Sequence, residues 1–269
     1  MSKNINTVIP DVYALMKNQT KHTPEIDTIV QRVGNEVKDA LLEALTVRQK
    51  KGGLRMSGIG KCERAQWYSV HGYEAEEISG EVYLTFLTGH VMEAVLLGIV
   101  EASGHEVTGQ QKKHDVEGVK GSQDCYIDGE LVDVKTASAW SYDNKFKEDG
   151  IKDDAFGYIK QLSGYGKTEG REEGYFLAFN KNKSTLKLCK QELEQDIDKH
   201  IIQLQEKMAL DTPPMRLENA STLKKGEETL CMNCAFCGHK ETCFGALTKK
   251  TINGGKFTYY TVDKVAGSF

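Results

Sequence analysis

One stretch, residues 121–136, constrains the fold more than any other part of the chain. The Asp-Gly pair at 128–129 is a strong signal for a two-residue hairpin turn, and it lies between two runs typical of strands. On the second run, Asp133 and Lys135 are two residues apart, so their side chains share one face. A hairpin also brings Asp124 from the first arm beside them. Because unpaired buried charge is costly, two acids and a lysine on one sheet face predict a divalent-metal site.

The composition is that of a soluble globular protein. The chain has 269 residues, of which 39% are hydrophobic and 28% charged, with a formal net charge of −4. This charge argues against a surface that is basic throughout, although a local basic groove can still bind phosphates. We find no signal-peptide pattern and no apolar run long enough to span a bilayer, so we expect no membrane association and an intracellular location.

Two helices are predicted before the hairpin, after a polar lead-in over residues 1–24 that we expect to be irregular. Residues 26–49 show the three- and four-residue apolar spacing of an amphipathic packing helix. Residues 82–100 are so apolar that we expect this helix to be buried on most sides. His90 and Glu93 share one face of it. Since a buried glutamate needs a partner, these two residues are predicted to share the cation of the hairpin.

Beyond the hairpin, residues 140–154 are polar and predict a surface loop. A helix is expected over residues 154–168, on which Gln161 and Tyr165 lie one turn apart on one face. Two strands, 173–180 and 184–189, and a helix over 191–210 complete this part of the chain.

Four cysteines, Cys231, Cys234, Cys237 and Cys243, lie within one short segment and have spacings that suit a metal centre. Two ligand sets are open. The local set uses these four around zinc, and the spacing alone slightly favours it. The other set joins Cys62 to Cys234, Cys237 and Cys243 around an iron–sulfur cluster. The remaining two cysteines lie in strand-like runs and are predicted to be core residues.

Taken together, these features resemble the PD-(D/E)XK nucleases, and within them the RecB-like branch that includes the CRISPR-associated Cas-four-type exonucleases. The resemblance extends from about Ser57 to Cys243 and rests on five motifs in the same order. These are Ser57…Cys62-x-Arg64, Thr88-Gly89-His90-Val-Met-Glu93, Gly121-x-x-Asp124 with Asp133-Val-Lys135-Thr136, Gln161-Leu-Ser-Gly-Tyr165, and Cys234-x2-Cys237-x5-Cys243. In the family a histidine is common at the offset where this chain has Glu93, but relatives also use glutamate there. Glu93 is therefore preferred to His90 as the ligand.

The resemblance implies an α/β fold with a restriction-endonuclease-like core, in which helices flank a mixed central sheet, over residues 81–212. Residues 1–80 would form an N-terminal helical segment that contributes Cys62. Residues 213–269 would hold the cysteine cluster and a tail.

The resemblance also reverses the preference between the two cysteine ligand sets. It implies a [4Fe-4S] cluster on Cys62, Cys234, Cys237 and Cys243 that ties the N- and C-terminal segments into a helical subdomain. Such a cluster would close a long loop and so limit the entropy of the unfolded chain. The additional Cys231 departs from the family pattern and keeps zinc as an alternative.

For activity, the resemblance implies a metal-dependent DNA exonuclease. Asp124, Asp133 and Glu93 (or His90), with the Val134 carbonyl, would hold one or two Mg²⁺ or Mn²⁺ ions, since hard cations prefer oxygen ligands.

The remaining catalytic residues have less specific expected roles. Lys135 would orient or deprotonate the attacking water, or offset phosphate charge. Gln161 and Tyr165 would position the DNA backbone or Lys135. The expected partner is DNA that is single-stranded or has free ends, and a helicase or recombination protein is expected as a further partner. The expected location is the cytoplasm of a bacterium, with the chain encoded by a phage or a small accessory locus. The alternatives are a restriction-type or structure-specific endonuclease and an inactive nucleic-acid-binding protein of the same fold.

Overall fold

The computed structural model describes residues 3–46, 53–218, 220–224, 226–252 and 257–263. Within them the helices are α1 (Val8–Asn18), α2 (Pro24–Leu45), α3 (Glu63–Val70), α4 (Gly80–Ala102), α5 (Ala139–Asn144), α6 (Tyr158–Lys167), α7 (Ile197–Met208), α8 (Met232–Ala235) and α9 (Lys240–Phe244). The strands are β1 (Val107–Thr108), β2 (Lys113–Val116), β3 (Val119–Ser122), β4 (Cys125–Ile127), β5 (Glu130–Ala137), β6 (Phe146–Lys147), β7 (Gly150–Ile151), β8 (Glu173–Asn180), β9 (Leu186–Glu192), β10 (Ser221–Lys224), β11 (Glu227–Leu230), β12 (Leu247–Ile252) and β13 (Phe257–Val262).

The central sheet is mixed and is flanked by helices, as the resemblance implies. Its strand order is β1-β4-β5-β8-β9. The β5–β8 pair is parallel and the other pairs are antiparallel. Parallel neighbours need a crossover connection, which here passes through α5, the β6–β7 hairpin and α6. The strand that carries Asp133 and Lys135 is therefore the centre of the sheet.

Side chains of β5 alternate between two separate cores. Leu131 packs with Leu162 of α6 and other residues on the α3, α6 and α7 side. Val132 and Val134 pack on the opposite side, with residues from α1 and α4. Since successive strand residues point to opposite faces, Asp133 and Lys135 lie on the face of Leu131, towards α6.

The N-terminal lead-in is helical, and the prediction of irregular structure was wrong. Asn4 and Thr7 form a reciprocal capping box around a 3-10 turn, which leads directly into α1. Pro10 falls in the first turn of α1, where its missing N–H has no intrahelical partner to lose. Val8 and Val12 of α1, one turn apart on this mostly apolar helix, are buried against the sheet.

The apolar helix α4 is buried along only part of its length. Leu96, Leu97 and Val100 near its C-terminus are buried, whereas Leu84 and Phe86 near its N-terminus are 63% and 47% exposed. Burial on most sides was therefore a wrong prediction for the first two turns. By length and composition, α4 is the one helix in the described ranges that could cross a membrane, a test that core helices of soluble proteins also pass. The α/β fold around it is consistent with a protein outside the membrane.

Two further segments differ from the predictions. Residues 140–154, expected to be a loop, contain α5 and the β6–β7 hairpin. The C-terminal segment has two short helices and also a four-stranded antiparallel sheet, in the order β10-β11-β13-β12, where a helical subdomain was expected. The predicted end of α2 near Gln49 lies outside the described residues; α2 ends at Leu45.

Candidate active site

The hairpin forms with the predicted two-residue turn. Ile127 pairs with Glu130, and between them Asp128 and Gly129 both have positive φ, 50° and 83°, as a type I′ turn requires. This register brings the start of β4 beside the middle of β5. Asp124 completes the arrangement, because its Oδ2 accepts a hydrogen bond of 2.8 Å from the backbone N–H of Val134. The Asp124 carboxylate is therefore fixed next to Asp133.

Asp133 and Lys135 form a buried ion pair on β5. The Asp133 side chain is 2% exposed and that of Lys135 is 18% exposed. The Lys135 ammonium contacts Oδ2 of Asp133 and lies 4.9 Å from the centre of the Tyr158 ring. Burial alone would lower the pKa of Lys135, but the charges of Asp133 and Asp124 outweigh burial and raise that pKa. The lysine therefore carries its charge at neutral pH.

Glu93 from α4 completes a group of three carboxylates. Burial raises the pKa of Glu93 to about 8, and the negative charges of Asp124 and Asp133 add to the effect. Burial also raises the pKa of Asp133 to about 7, against the opposing charge of Lys135 and with a contribution from Asp124. The pKa of Asp124 is raised by burial as well. Raised pKa values of this kind mark buried acids with too little counter-charge, and for Glu93 and Asp133 the neighbouring acids add to the effect.

These three acids fit a divalent cation by their chemistry. Oδ2 of Asp133 touches the Lys135 ammonium, but the contact lacks hydrogen-bond geometry and the atom is otherwise unsatisfied and buried. A cation would compensate both this atom and the mutual repulsion of the acids. In the described part of the chain, no three His, Cys, Asp or Glu side chains already have the spacing of metal ligands.

The other two predicted ligands are His90, the second choice to Glu93, and the carbonyl of Val134. His90 lies on α4 close to Glu93, but its side chain is exposed, whereas Glu93 is partly buried and interacts with the aspartates. The structure thus brings Glu93, rather than His90, to the carboxylate group. Val134 is buried, and its N–H holds Asp124; the role of its carbonyl as a ligand stays a prediction.

Helix α6 places Gln161 and Tyr165 beside this group. The Gln161 amide donates a hydrogen bond of 3.2 Å to the Tyr165 hydroxyl. Tyr165 is 2% exposed, and its pKa is raised to about 12 mainly by burial, with Asp133 and Asp124 contributing. A ring so deeply buried has little surface left for DNA. Tyr165 is thus better placed to support the carboxylates than to contact DNA.

The backbone before α6 touches the segment that carries Cys62. Gly157, with φ 76°, precedes α6, and Gly60 lies against it so closely that a Cβ on Gly60 would be 2.4 Å from the Cα of Gly157. No other residue type fits at either position without moving one of the two segments. The Cys62 segment and α6 are therefore in direct backbone contact.

Sequence reasoning missed three residues that belong to the site. Tyr158, under the Lys135 ammonium, lies on the same face of α6 as Gln161, three residues earlier, and this spacing could have revealed it. Asp154 accepts hydrogen bonds from the N–H groups of Tyr158 (3.0 Å) and Ile159 (2.8 Å), as a residue that caps a helix does. Gln111 donates to Glu93 at 3.1 Å, and no pattern in the sequence indicates it.

The structure also brings the distant cysteines together. The pKa of Cys234 is raised by burial, and Cys231, Cys62 and Cys237 add to the effect. The pKa of Cys237 is raised by burial too, with contributions from Cys62 and Cys243. All seven cysteines of the chain are free thiols. The five cysteines of the two predicted ligand sets are therefore neighbours, although Cys62 is far from the others in sequence.

This cysteine group fits a thiolate-ligated centre in its chemistry. Cys234 is 8% exposed, and Sγ of Cys237 accepts a hydrogen bond of 3.4 Å from the N–H of His239, an interaction of the kind that tunes iron–sulfur clusters. The buried Lys240 lies close enough to lower the pKa of Cys237 by its charge. Both ligand sets stay predictions, since Cys62 and Cys231 both lie near enough to Cys234 to raise its pKa.

Comparisons with known proteins add little to this picture. No protein-family model matches the sequence, and no curated protein shows significant similarity to it. A solved structure described as "Crystal structure of SSO0001" is similar with a TM-score of 0.43 and 14% sequence identity, over 80% of this chain and 97% of that one. A similarity of this size carries no argument about function.

Proposed function

We propose that the chain is a metal-dependent DNA exonuclease of the PD-(D/E)XK type, from the RecB-like branch, that hydrolyses phosphodiester bonds in DNA recombination, repair or end processing. One observation supports this most: Glu93, Asp124 and Asp133 come from three separate elements and meet beside the buried, charged Lys135. Burying three acids in one place raises their pKa values and costs stability, so a structural role alone gives no reason for the arrangement.

Glu93, Asp124 and Asp133 would hold Mg²⁺ or Mn²⁺. The bound ion lowers the pKa of a coordinated water and stabilises charge on the scissile phosphate. Of the roles predicted for Lys135, the raised pKa favours the electrostatic ones: a lysine that keeps its proton offsets phosphate charge or orients a water, and it is a poor base. Tyr158 and Asp133 hold its ammonium in place.

Cys62, Cys234, Cys237 and Cys243 would hold a [4Fe-4S] cluster in this proposal, with Zn²⁺ on the four C-terminal cysteines as the alternative. The cluster would be structural, linking the segment before α3 to the C-terminal sheet. Anaerobically purified protein should then be brown and absorb near about 400 nm. A colourless protein with one equivalent of zinc would refute the iron–sulfur assignment and leave the nuclease proposal intact.

The nuclease proposal is tested with linear and circular DNA in Mg²⁺, and again in EDTA. Linear DNA should be degraded in Mg²⁺ only, and closed circles should survive. Lys135→Ala should lower the rate by about 100-fold or more, since it removes a charge that acts on the reacting phosphate. Lys199→Ala is the matched control, because Lys199 is an exposed lysine of α7 outside the site.

The outcomes separate the competing functions. Cleavage of closed circles at the same rate as linear DNA would favour the endonuclease alternative. Binding without hydrolysis in either metal would favour the inactive nucleic-acid-binding protein. Equal rates for Lys135→Ala and the wild type would show that the assigned site is wrong. A cytoplasmic location and a helicase or recombination partner belong to the same proposal.

A further inference from the structure

An exposed aromatic cleft lies next to the carboxylate group; Tyr158 and Asp154 belong to both, and the other residues that line the cleft have no role in the proposed hydrolysis. Trp140, Phe156, Tyr158 and Met232 line it, together with Lys145. Trp140 is 57% exposed, Phe156 40% and Met232 43%. Large apolar side chains that are exposed together at one concave site are unusual on a soluble protein and mark binding surfaces.

The rings form a continuous path from solvent to the catalytic lysine. Phe236, which is 75% exposed, has its ring centre 6.4 Å from that of Phe156. Phe156 lies 5.7 Å from Tyr158 in turn, with an angle of 30° between the ring planes. The Lys135 ammonium is 4.9 Å from the Tyr158 ring centre. A flat group stacked on Phe156 would therefore be separated from the Lys135 ammonium, at the proposed reaction centre, by the Phe156 and Tyr158 rings alone.

The charges around the cleft favour bases over phosphates as its ligands. Lys145 donates to the backbone carbonyl of Asp153 at 2.9 Å and lies 5.7 Å from the Trp140 ring centre. Lys152 is paired with Asp149 at 3.0 Å. Both lysines are thus paired with carboxylate or carbonyl oxygens, so the cleft offers aromatic faces to a ligand more readily than cations.

The cleft itself is shallow, with a volume of about 30 Å³, so a flat group would lie on its exposed rings and extend into the space beside them. The cleft shares Lys145, Asp153, Asp154, Ala155 and Met232 with an adjoining open hollow of about 280 Å³. This volume is near the lower end of the range for small-molecule sites, roughly 300 Å³. Because every base has an aromatic face, stacking on such rings is independent of sequence and requires only that the base is unpaired.

We propose that Trp140 and Phe156 form a stacking subsite for unpaired bases of a DNA strand whose backbone continues to Lys135. The binding part stands on the cleft alone, and the direction of the strand into the reaction centre rests on the proposed nuclease function. Duplex DNA cannot use the subsite, since its bases present no free faces.

The test measures binding in EDTA, where no hydrolysis occurs. A labelled oligothymidine is titrated with the wild type, Trp140→Leu and Phe156→Leu, and anisotropy gives the dissociation constant. Each leucine variant should bind at least about fivefold more weakly, since stacking on one ring is worth at least that factor. Tyr83→Leu is the matched control, because Tyr83 is 49% exposed and its ring contacts Phe86 on α4.

Intrinsic fluorescence gives a second readout. The chain has two tryptophans, and Trp67 is 3% exposed, so Trp140 is the one that a base can reach. Oligothymidine should quench the fluorescence of the wild type, and blunt duplex of the same length should not. Trp140→Phe should keep the affinity and lose the quenching. Melting curves identify any variant that has not folded. If Trp140→Leu does not fold, the loss of quenching in Trp140→Phe tests the subsite in its place.

The two proposals fail in different ways. In one outcome, oligothymidine quenches the tryptophan fluorescence and the leucine variants bind it more weakly, but no DNA is hydrolysed in Mg²⁺. This outcome would refute the nuclease function and keep the subsite. Hydrolysis by a wild type whose Trp140→Leu and Phe156→Leu variants bind oligothymidine normally would refute the subsite and keep the nuclease. Equal competition by blunt duplex, or no binding of oligothymidine at all, would also overturn the subsite.

Discussion

Glu93→Gln should stabilise the protein in the absence of metal and remove its response to metal. The substitution keeps the shape of the side chain and its acceptor towards Gln111, but it removes one of three neighbouring negative charges. In the folded protein the pKa of Glu93 is raised from 4.5 to about 8. The unfolded chain therefore loses this proton at lower pH than the folded protein, and the stability of the wild type falls as pH rises from 4.5 to about 8.

The size of the effect follows from the same pKa values. Each pKa unit corresponds to about 1.4 kcal/mol, so the full difference sets an upper bound of about 5 kcal/mol above pH 8. Because Asp124 and Asp133 titrate together with Glu93, we expect about 2 kcal/mol at pH 8 and less than about 1 kcal/mol at pH 5. In a domain of this size, 2 kcal/mol raises the melting temperature by roughly 4–8 °C.

The assay is thermal unfolding in EDTA at several pH values, followed by the same series in Mg²⁺ or Mn²⁺. Metal at about ten times its dissociation constant should stabilise the wild type by about 1.4 kcal/mol. The Gln variant should gain far less, because it lacks one ligand. Glu77→Gln, at an exposed glutamate, is the control and should follow the wild type. If the thermal stability of Glu93→Gln and of the wild type changed with pH in the same way, the raised pKa of Glu93 and its coupling to the aspartates would be refuted.

Three further predictions concern the elements around the site. Asp154→Ala removes the side chain that caps α6, and it should lower the free energy of unfolding by about 1 kcal/mol in denaturant titrations, together with the rate of DNA hydrolysis. Gly60→Ala forces a Cβ onto the backbone before α6 and should destabilise by about 1–3 kcal/mol in the same titration, whereas Gly80→Ala, with open space around it, should not. Cys62→Ser should abolish the absorbance near about 400 nm and Cys231→Ser should retain it; the reverse result would identify Cys231 as the ligand.

The hairpin could be predicted because its information is local. The Asp-Gly pair determines the turn and the two-residue period determines which side chains share a face. Asp133 and Lys135 therefore lie together as expected, with Asp124 beside them. The positions of β8, β9 and α6 were predicted from the same kinds of local pattern.

What was missed depends on contacts between distant segments. The exposure of Leu84 and Phe86 could not be inferred, since the apolar pattern of α4 is equally strong in its buried and exposed halves. The miss at α1 is of another kind: this helix is mostly apolar, and Val8 and Val12, one turn apart, are buried against the sheet, so a local pattern was present and was overlooked. Gln111 reaches Glu93 from a loop, and no local spacing relates the two.

The contact between Gly60 and Gly157 has a consequence for how damage to the chain would be observed. It connects the backbone two residues before Cys62 to the first turn of the helix that carries Tyr158 and Tyr165. If Cys62 binds the proposed cluster, loss of the cluster would act through this backbone contact on the start of α6, whereas the acids of the hairpin belong to other elements. Under the proposed function, oxidation of the cysteines would then lower turnover while metal affinity is largely kept.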